Sequence, residues 1–200
     1  MTPTPERWWL GVDPARAGAA VLLDPDRVPT VVYCWRTRQQ NNRPTYDLGV
    51  VALGGYQRRE SCTSLHRVGL AISASVGRVT TVPTWGVAVE APYVSRLNPA
   101  TGLQVAITTG ELIGCMREHM QPALVLVKAT EWRQELLGLH HRTDRARAKR
   151  VSLAVMPQRL PGLQVLLDAV ARLHGARPES LDHVTDAGGV AEYGYTCSGG

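Results

Sequence analysis

Lysine is almost missing from this chain: Lys128 and Lys149 are the only two, so arginine supplies 20 of the 22 basic residues. That balance favours forked, bidentate recognition of phosphate, although a GC-rich genome produces the same bias. No apolar stretch approaches the roughly 20 residues of a membrane span, and Met1 to Arg7 lacks the apolar core of a signal peptide. A membrane is therefore not expected among the partners, and the expected location is cytoplasmic. Cys34, Cys62, Cys115 and Cys197 are scattered with no CxxC spacing, which leaves reduced, structural thiols as the expectation.

What is present points to an ordinary globular chain. Its 200 residues suit one domain, expected over 1–200, with enough length to bury a proper core. A hydrophobic fraction of 44% against 20% charged residues excludes disorder. The net charge is +5, and its densest run is Arg142, Arg145, Arg147, Lys149 and Arg150, opposed by Asp144 alone. Such a run is either a solvated helix face or a nucleic-acid contact, and its bearing depends on whether it shares a side with the acidic residues.

Those acids carry most of the information. Asp13 ends the apolar run Trp8–Val12, and Glu90 ends a second run, Trp85–Val89. Asp186 stands near the C-terminus beside His183, in a segment that reads as helix, with Asp182 one turn before it. Carboxylates at the ends of buried strands are costly unless a charge compensates them, and a divalent metal is the usual compensator. The set points to metal-dependent phosphodiester chemistry.

Pattern along the chain predicts strands at 8–12, 17–23 and 30–36, forming a meander. The polar stretch 38–59, with its QQNNRP core, reads as a surface loop of the kind that can order on a partner. Leu65, Val68, Ile72 and Val76 recur at helical spacing, predicting a helix over 61–76. A strand at 85–89, a helix at about 100–119 and a short strand at 124–127 follow. Helices are then expected at 130–137 and 143–155, the latter capped by Thr143 or Asp144. Pro157 and Pro161 mark a turn before a helix at 163–173. A last helix runs over about 180–193, weakened by Gly188 and Gly189 by about 1 kcal/mol each. The order implies an α/β fold with a mixed sheet flanked by helices.

Three motifs in this order resemble the RuvC-like Holliday junction resolvases, a family within the ribonuclease H-like superfamily. They are Leu10-Gly11-Val12-Asp13-Pro14 with the Gly18-Ala19-Ala20-Val21 strand; Val87-Ala88-Val89-Glu90 with Tyr93, Gly102, Leu103 and Gly110; and His183-Val184-Thr185-Asp186-Ala187. The resemblance covers about Leu10 to Ala191. It departs from the family at Ala15, where a Gly is usual, and over Arg38–Arg59. It implies a ribonuclease H-like mixed five-stranded sheet flanked by helices, and a crossover junction endodeoxyribonuclease acting on four-way junction DNA.

The resemblance also implies two Mg²⁺ ions, or Mn²⁺, about 4 Å apart. Asp13 would bridge them, Glu90 would complete one, and Asp186 the other. His183 would serve as a ligand or act on the nucleophilic water, a choice made over Asp182 because the His183–Asp186 spacing matches the family. Tyr93 would stack on bases at the junction, and Arg96 with Asn98 would contact phosphate. Lys128–Lys149 matches the family's DNA-contacting segment, giving Arg133, Arg142, Arg145 and Lys149 as candidate contacts. A homodimer is implied, with Leu103, Ile107, Leu112 and Ile113 on the 100–119 helix as its face, and a branch-migration helicase is a candidate partner. A nuclease processing ribosomal RNA precursors, or a junction-binding protein without catalysis, remains an alternative.

Overall fold

In the computed structural model, which describes residues 7–15, 17–40, 43–79, 85–92, 99–120 and 122–197, the central strand is β1 (Trp8–Asp13). It pairs antiparallel with β2 (Gly18–Leu23) on one side and parallel with β6 (Trp85–Glu90) on the other. β3 (Pro29–Gln40), β4 (Arg43–Ala52) and β5 (Gln57–Cys62) continue the antiparallel meander, while β7 (Ala123–Val127) adds to β6 in parallel. The sheet order is β5-β4-β3-β2-β1-β6-β7. The expected five-stranded mixed sheet is present as β3-β2-β1-β6-β7, and two further strands extend it.

Those two strands occupy the stretch expected to be a loop. β3 runs on to Gln40 and pairs with β4 as far as Gln40↔Arg43, and β4 pairs with β5. The reason is the alternation Tyr46-Asp47-Leu48-Gly49-Val50. Tyr46, Leu48 and Val50 are buried against one face, as a strand with period two requires. The polar QQNNRP run masks this pattern in the sequence. Gly49 is needed on the other face, because a Cβ there would lie 2.4 Å from His174 Nε2.

Helices cover both faces. α1 (Leu65–Val79) and α2 (Pro99–Met120) pack over Leu10, Val12, Ala20, Tyr33, Val87 and Val89. On the opposite face lie α3 (Ala129–Leu137), α4 (Arg145–Arg159), α5 (Leu163–His174) and α6 (Asp182–Cys197), with Trp9, Val21, Val32, Cys34 and Ala88 beneath them. Asp144 caps α4, its carboxylate accepting from the Arg147 amide at 2.9 Å. Pro157 lies inside α4 and does not end it. It removes one intrahelical hydrogen bond, to the Leu153 carbonyl, and buried Met156 and Leu160 anchor that end.

The tightest seam joins β1 to α6. A Cβ at Gly11 would fall 2.1 Å from the Ala187 carbonyl oxygen and 2.3 Å from the Ala191 amide nitrogen. Gly194 meets Ala88 and Trp9 in the same way, so it lets α6 lie directly on the strands, while Gly189 faces Trp132 and Gly188 faces Leu160 and Leu163. Trp9, Trp35 and Trp132 are fully buried. All four cysteines are free thiols. Among the described residues, no helix is long and apolar enough to cross a membrane.

Candidate functional site

Strand parity places the first two acids. Trp9 and Ala88 belong to the core beneath α6, whereas Leu10, Val12, Val87 and Val89 face α1 and α2. A two-residue period therefore turns Asp13 and Glu90 toward α6. The parallel register pairs Val12 with Val89, so the next step along both strands sets Asp13 beside Glu90 at their carboxyl ends. Ligand sites in α/β sheets form at this edge. Asp186 is brought over them on α6, one residue before the Ala187 carbonyl that touches Gly11.

Two groups from α3 complete the cluster. Trp132 donates from Nε1 to Glu90 Oε2 at 3.0 Å. Arg133 donates from Nη2 to Asp186 Oδ2 at 2.7 Å and lies 3.8 Å from Glu90 Oε2. Ser152 of α4, fully buried, donates to the other Asp186 oxygen at 2.7 Å and stands 3.0 Å from the Thr185 hydroxyl. Asp182 is ion-paired with Lys149, which occupies both groups at the edge of the cluster.

The electrostatics follow from burial. Burial, then the charges of Glu90 and Asp186, push Asp13 well above the ordinary carboxylate range, and Arg133 opposes the shift. Burial likewise raises Glu90 and Asp186, and in both Arg133 is the largest opposing influence. For Arg133, burial works against the charge, but Asp186, Glu90 and Asp13 outweigh it and hold the guanidinium protonated. Three carboxylates thus face one half-buried cation, a formal shortfall of two positive charges.

That donor set fits a hard divalent cation. All three candidates offer carboxylate oxygen, the donor that Mg²⁺ and Mn²⁺ prefer. Among the described residues, no group of three or more His, Cys, Asp or Glu side chains already stands in a ligand arrangement. Arg133 holds the position between Glu90 and Asp186.

His183 lies differently from its neighbours. It is buried, with Nε2 3.3 Å from Cys34 Sγ, so only Nδ1 would be left to serve a ligand role. Burial pulls its pKa down from 6.5 to about 4, while the unfolded chain keeps the higher value. As pH falls through 6.5 toward 4 the unfolded state takes up a proton that the folded state refuses, and stability is lost. Between pH 7 and pH 4, His183→Asn should lose less stability than the wild type by roughly 3 kcal/mol. Urea unfolding at the two pH values reads this difference.

Among the remaining expected contacts, Arg142 and Arg145 are exposed around the start of α4, and the Arg145 charge reaches Glu90. Arg133 is turned inward to the carboxylates. Tyr93, Arg96 and Asn98 lie outside the described residues. Sequence reasoning missed Trp132 and Ser152 as members of the site. Trp132 reads as core, which it also is, and a single Ser within a helix carries no distinguishing signal.

Two solved structures of RuvC from Thermus thermophilus are similar to this chain, one of them in complex with a Holliday junction substrate. Both are 16% identical, over 96% of this chain and 96% of theirs, with TM-scores of 0.46 and 0.48. No family model matches the chain, and no curated protein matches it in sequence. The class defined by the topology is an α/β fold of ribonuclease H-like architecture: a five-strand antiparallel meander, β1 to β5, continued by two parallel strands, with helices on both faces. Its particular mark is a buried acidic cluster at the carboxyl ends of β1 and β6.

Proposed function

We propose that this chain is a metal-dependent nuclease that resolves four-way DNA junctions. The observation that carries the reading is the convergence of Asp13, Glu90 and Asp186, from three distant segments, into one buried cluster short of positive charge. The motifs around these residues supply the substrate, and the exposed arginines of α4 supply a phosphate-binding rim beside the cluster.

A bound divalent metal would activate the attacking water and stabilise charge on the phosphate. The chain's part is to present oxygens in fixed directions. Asp13 and Glu90 are held by adjacent strands, Glu90 is oriented by the Trp132 indole, and Asp186 is oriented by Ser152. Such supporting hydrogen bonds tune metal affinity by about 10–100-fold. Trp132→Phe keeps one ring in the core and removes the donor, so it should weaken Mn²⁺ binding by about tenfold. Its cost in folding stability should be about 2–3 kcal/mol, from the lost second ring as well as the lost donor, and calorimetric titration beside urea unfolding separates the two effects.

The homodimer is assigned to α2. Leu112 is buried in the core, but Leu103 and Ile107 are 61% and 50% exposed. Nothing lies within 4 Å of a Cβ at Gly110 or Gly114. Residues 103, 107, 110 and 114 recur at helical spacing, making a smooth apolar stripe suited to a twofold contact.

Incision of a synthetic four-way junction, with and without Mg²⁺ or Mn²⁺, tests the proposal. Linear duplex, flap and structured RNA serve as competitors. Symmetric metal-dependent cuts near the branch point support it. Preferential cutting of RNA would favour the ribosomal-precursor reading, and junction binding without cutting would favour a non-catalytic protein.

A further inference from the structure

Arg133 sits where a cation for this cluster belongs. Its Nη2 is 2.7 Å from Asp186 Oδ2 and 3.8 Å from Glu90 Oε2. A divalent ion serving those carboxylates must approach their oxygens to about 2.0–2.1 Å, and a guanidinium nitrogen hydrogen-bonded to Asp186 Oδ2 and facing Glu90 stands in the way of that approach. The two cations compete for one place.

The guanidinium is held there incompletely. Its Nε is buried with no hydrogen-bond partner among the described residues, which is a cost that a settled structural arginine avoids by saturating its fork. Its Cζ lies 5.0 Å from the centroid of the Trp132 ring, so a fixed aromatic surface supports the group without using the Nε–H. Trp132 itself cannot follow a movement of Arg133. It is fully buried, bonded to Glu90 and pressed against Gly189, where a Cβ would come within 2.5 Å of the ring. The Arg133 side chain remains 23% exposed, which leaves it a path to solvent.

We propose that Arg133 is a tethered counter-ion that occupies the carboxylate pocket of the metal-free chain and is displaced when a divalent cation binds. The inference rests on the reading that the cluster of Asp13, Glu90 and Asp186 takes such a cation. Exchange replaces one positive charge by two, which cuts the formal shortfall beside the three carboxylates from two to one, and frees the unpartnered Nε–H to reach water. In the metal-free protein the arginine keeps the carboxylates from repelling one another. Once displaced, it stands at the pocket rim, where its fork can bind a phosphate.

Mn²⁺ binding to the full chain without DNA, followed by the loss of the free-ion electron paramagnetic resonance signal, is the test. Arg133→Met retains the bulk and removes the charge. It should bind Mn²⁺ roughly tenfold or more tightly than the wild type, an effect of the size exerted by groups that support metal ligands. Metal-free, it should also unfold at a lower temperature than the wild type and gain more from added Mn²⁺. In the wild type, Mn²⁺ should raise the rate of phenylglyoxal modification at Arg133 several-fold, read by peptide mass spectrometry, and this measurement stands even if the variant fails to fold. Equal or weaker Mn²⁺ binding by the variant, or an unchanged modification rate while Mn²⁺ binds, overturns the proposal and leaves the metal reading intact. Absence of Mn²⁺ binding to both proteins overturns the two together.

Discussion

Changing Asp13 to Asn should reduce metal-dependent junction incision by about 10³-fold or more, because one carboxylate that fixes the cation contributes several kcal/mol in the transition state. The same change should stabilise the metal-free fold. Asp13 ionises against burial and against Glu90 and Asp186, so its folded pKa lies above its unfolded one. A carboxylate raised in this way costs stability once pH has climbed through the folded value, and a neutral amide of the same shape removes the cost. Activity and thermal midpoint should therefore move in opposite directions. Incision rates on a four-way junction and a metal-free melting curve check both halves. Undiminished incision would refute the assignment of Asp13, and a fall in midpoint would refute the account of its electrostatics.

The second large effect is expected at Gly11. In Gly11→Ala, the new methyl would sit 2.1 Å from the Ala187 carbonyl oxygen and 2.3 Å from the Ala191 amide nitrogen. Both obstacles are backbone, so no rotamer change relieves them and β1 must part from α6. A loss of about 4 kcal/mol is expected, at the upper end of single substitutions. Incision should fall further than stability, because the same displacement carries Asp186 away from Asp13. Gly77→Ala is the control. That glycine lies within α1 with nothing inside 4 Å of its Cβ, and the substitution should stabilise by about 0.5–1 kcal/mol through helix propensity. Urea unfolding of the pair gives shifts of opposite sign.

How much of this was legible in the sequence depended on whether the signal was local. The strands carrying Asp13 and Glu90 are short apolar runs ending in an acid, and both stand within a residue of where the pattern puts them. The helix bearing His183 and Asp186 was also readable, although its glycines argue against a helix taken alone. They are explained by the close approach of Gly194 to Ala88 and Trp9, of Gly189 to Trp132, and of Gly188 to Leu160 and Leu163, tertiary facts that propensity cannot supply. The β4 strand was hidden because Arg43, Pro44 and Asp47 outweigh a period-two pattern that becomes clear once Tyr46, Leu48 and Val50 are buried.

The candidate acidic cluster was legible in the sequence, and its supporting residues were not. Two carboxylates at strand ends, and a third beside His183 in a helix, announce themselves by the cost of burying charge. Trp132 and Ser152 act through a few hydrogen bonds across α3, α4, β6 and α6, and nothing in their sequence neighbourhoods distinguishes them from core. Arg133 was recognisable as a basic residue near the site, but its direction was not. Facing inward rather than toward a ligand is decided by the buried negative charge it meets.

Because β1 is completed only by α6, the order of synthesis matters. A nascent chain emerging from the ribosome presents Asp13 first, but Asp186 and the helix that roofs Gly11 arrive only after some 170 further residues have been made. Until then the Trp9 face of β1 is uncovered and the pocket lacks its third carboxylate. Unfinished translation products therefore cannot assemble the cation pocket, and the sticky strand face they display marks them for chaperones and proteases.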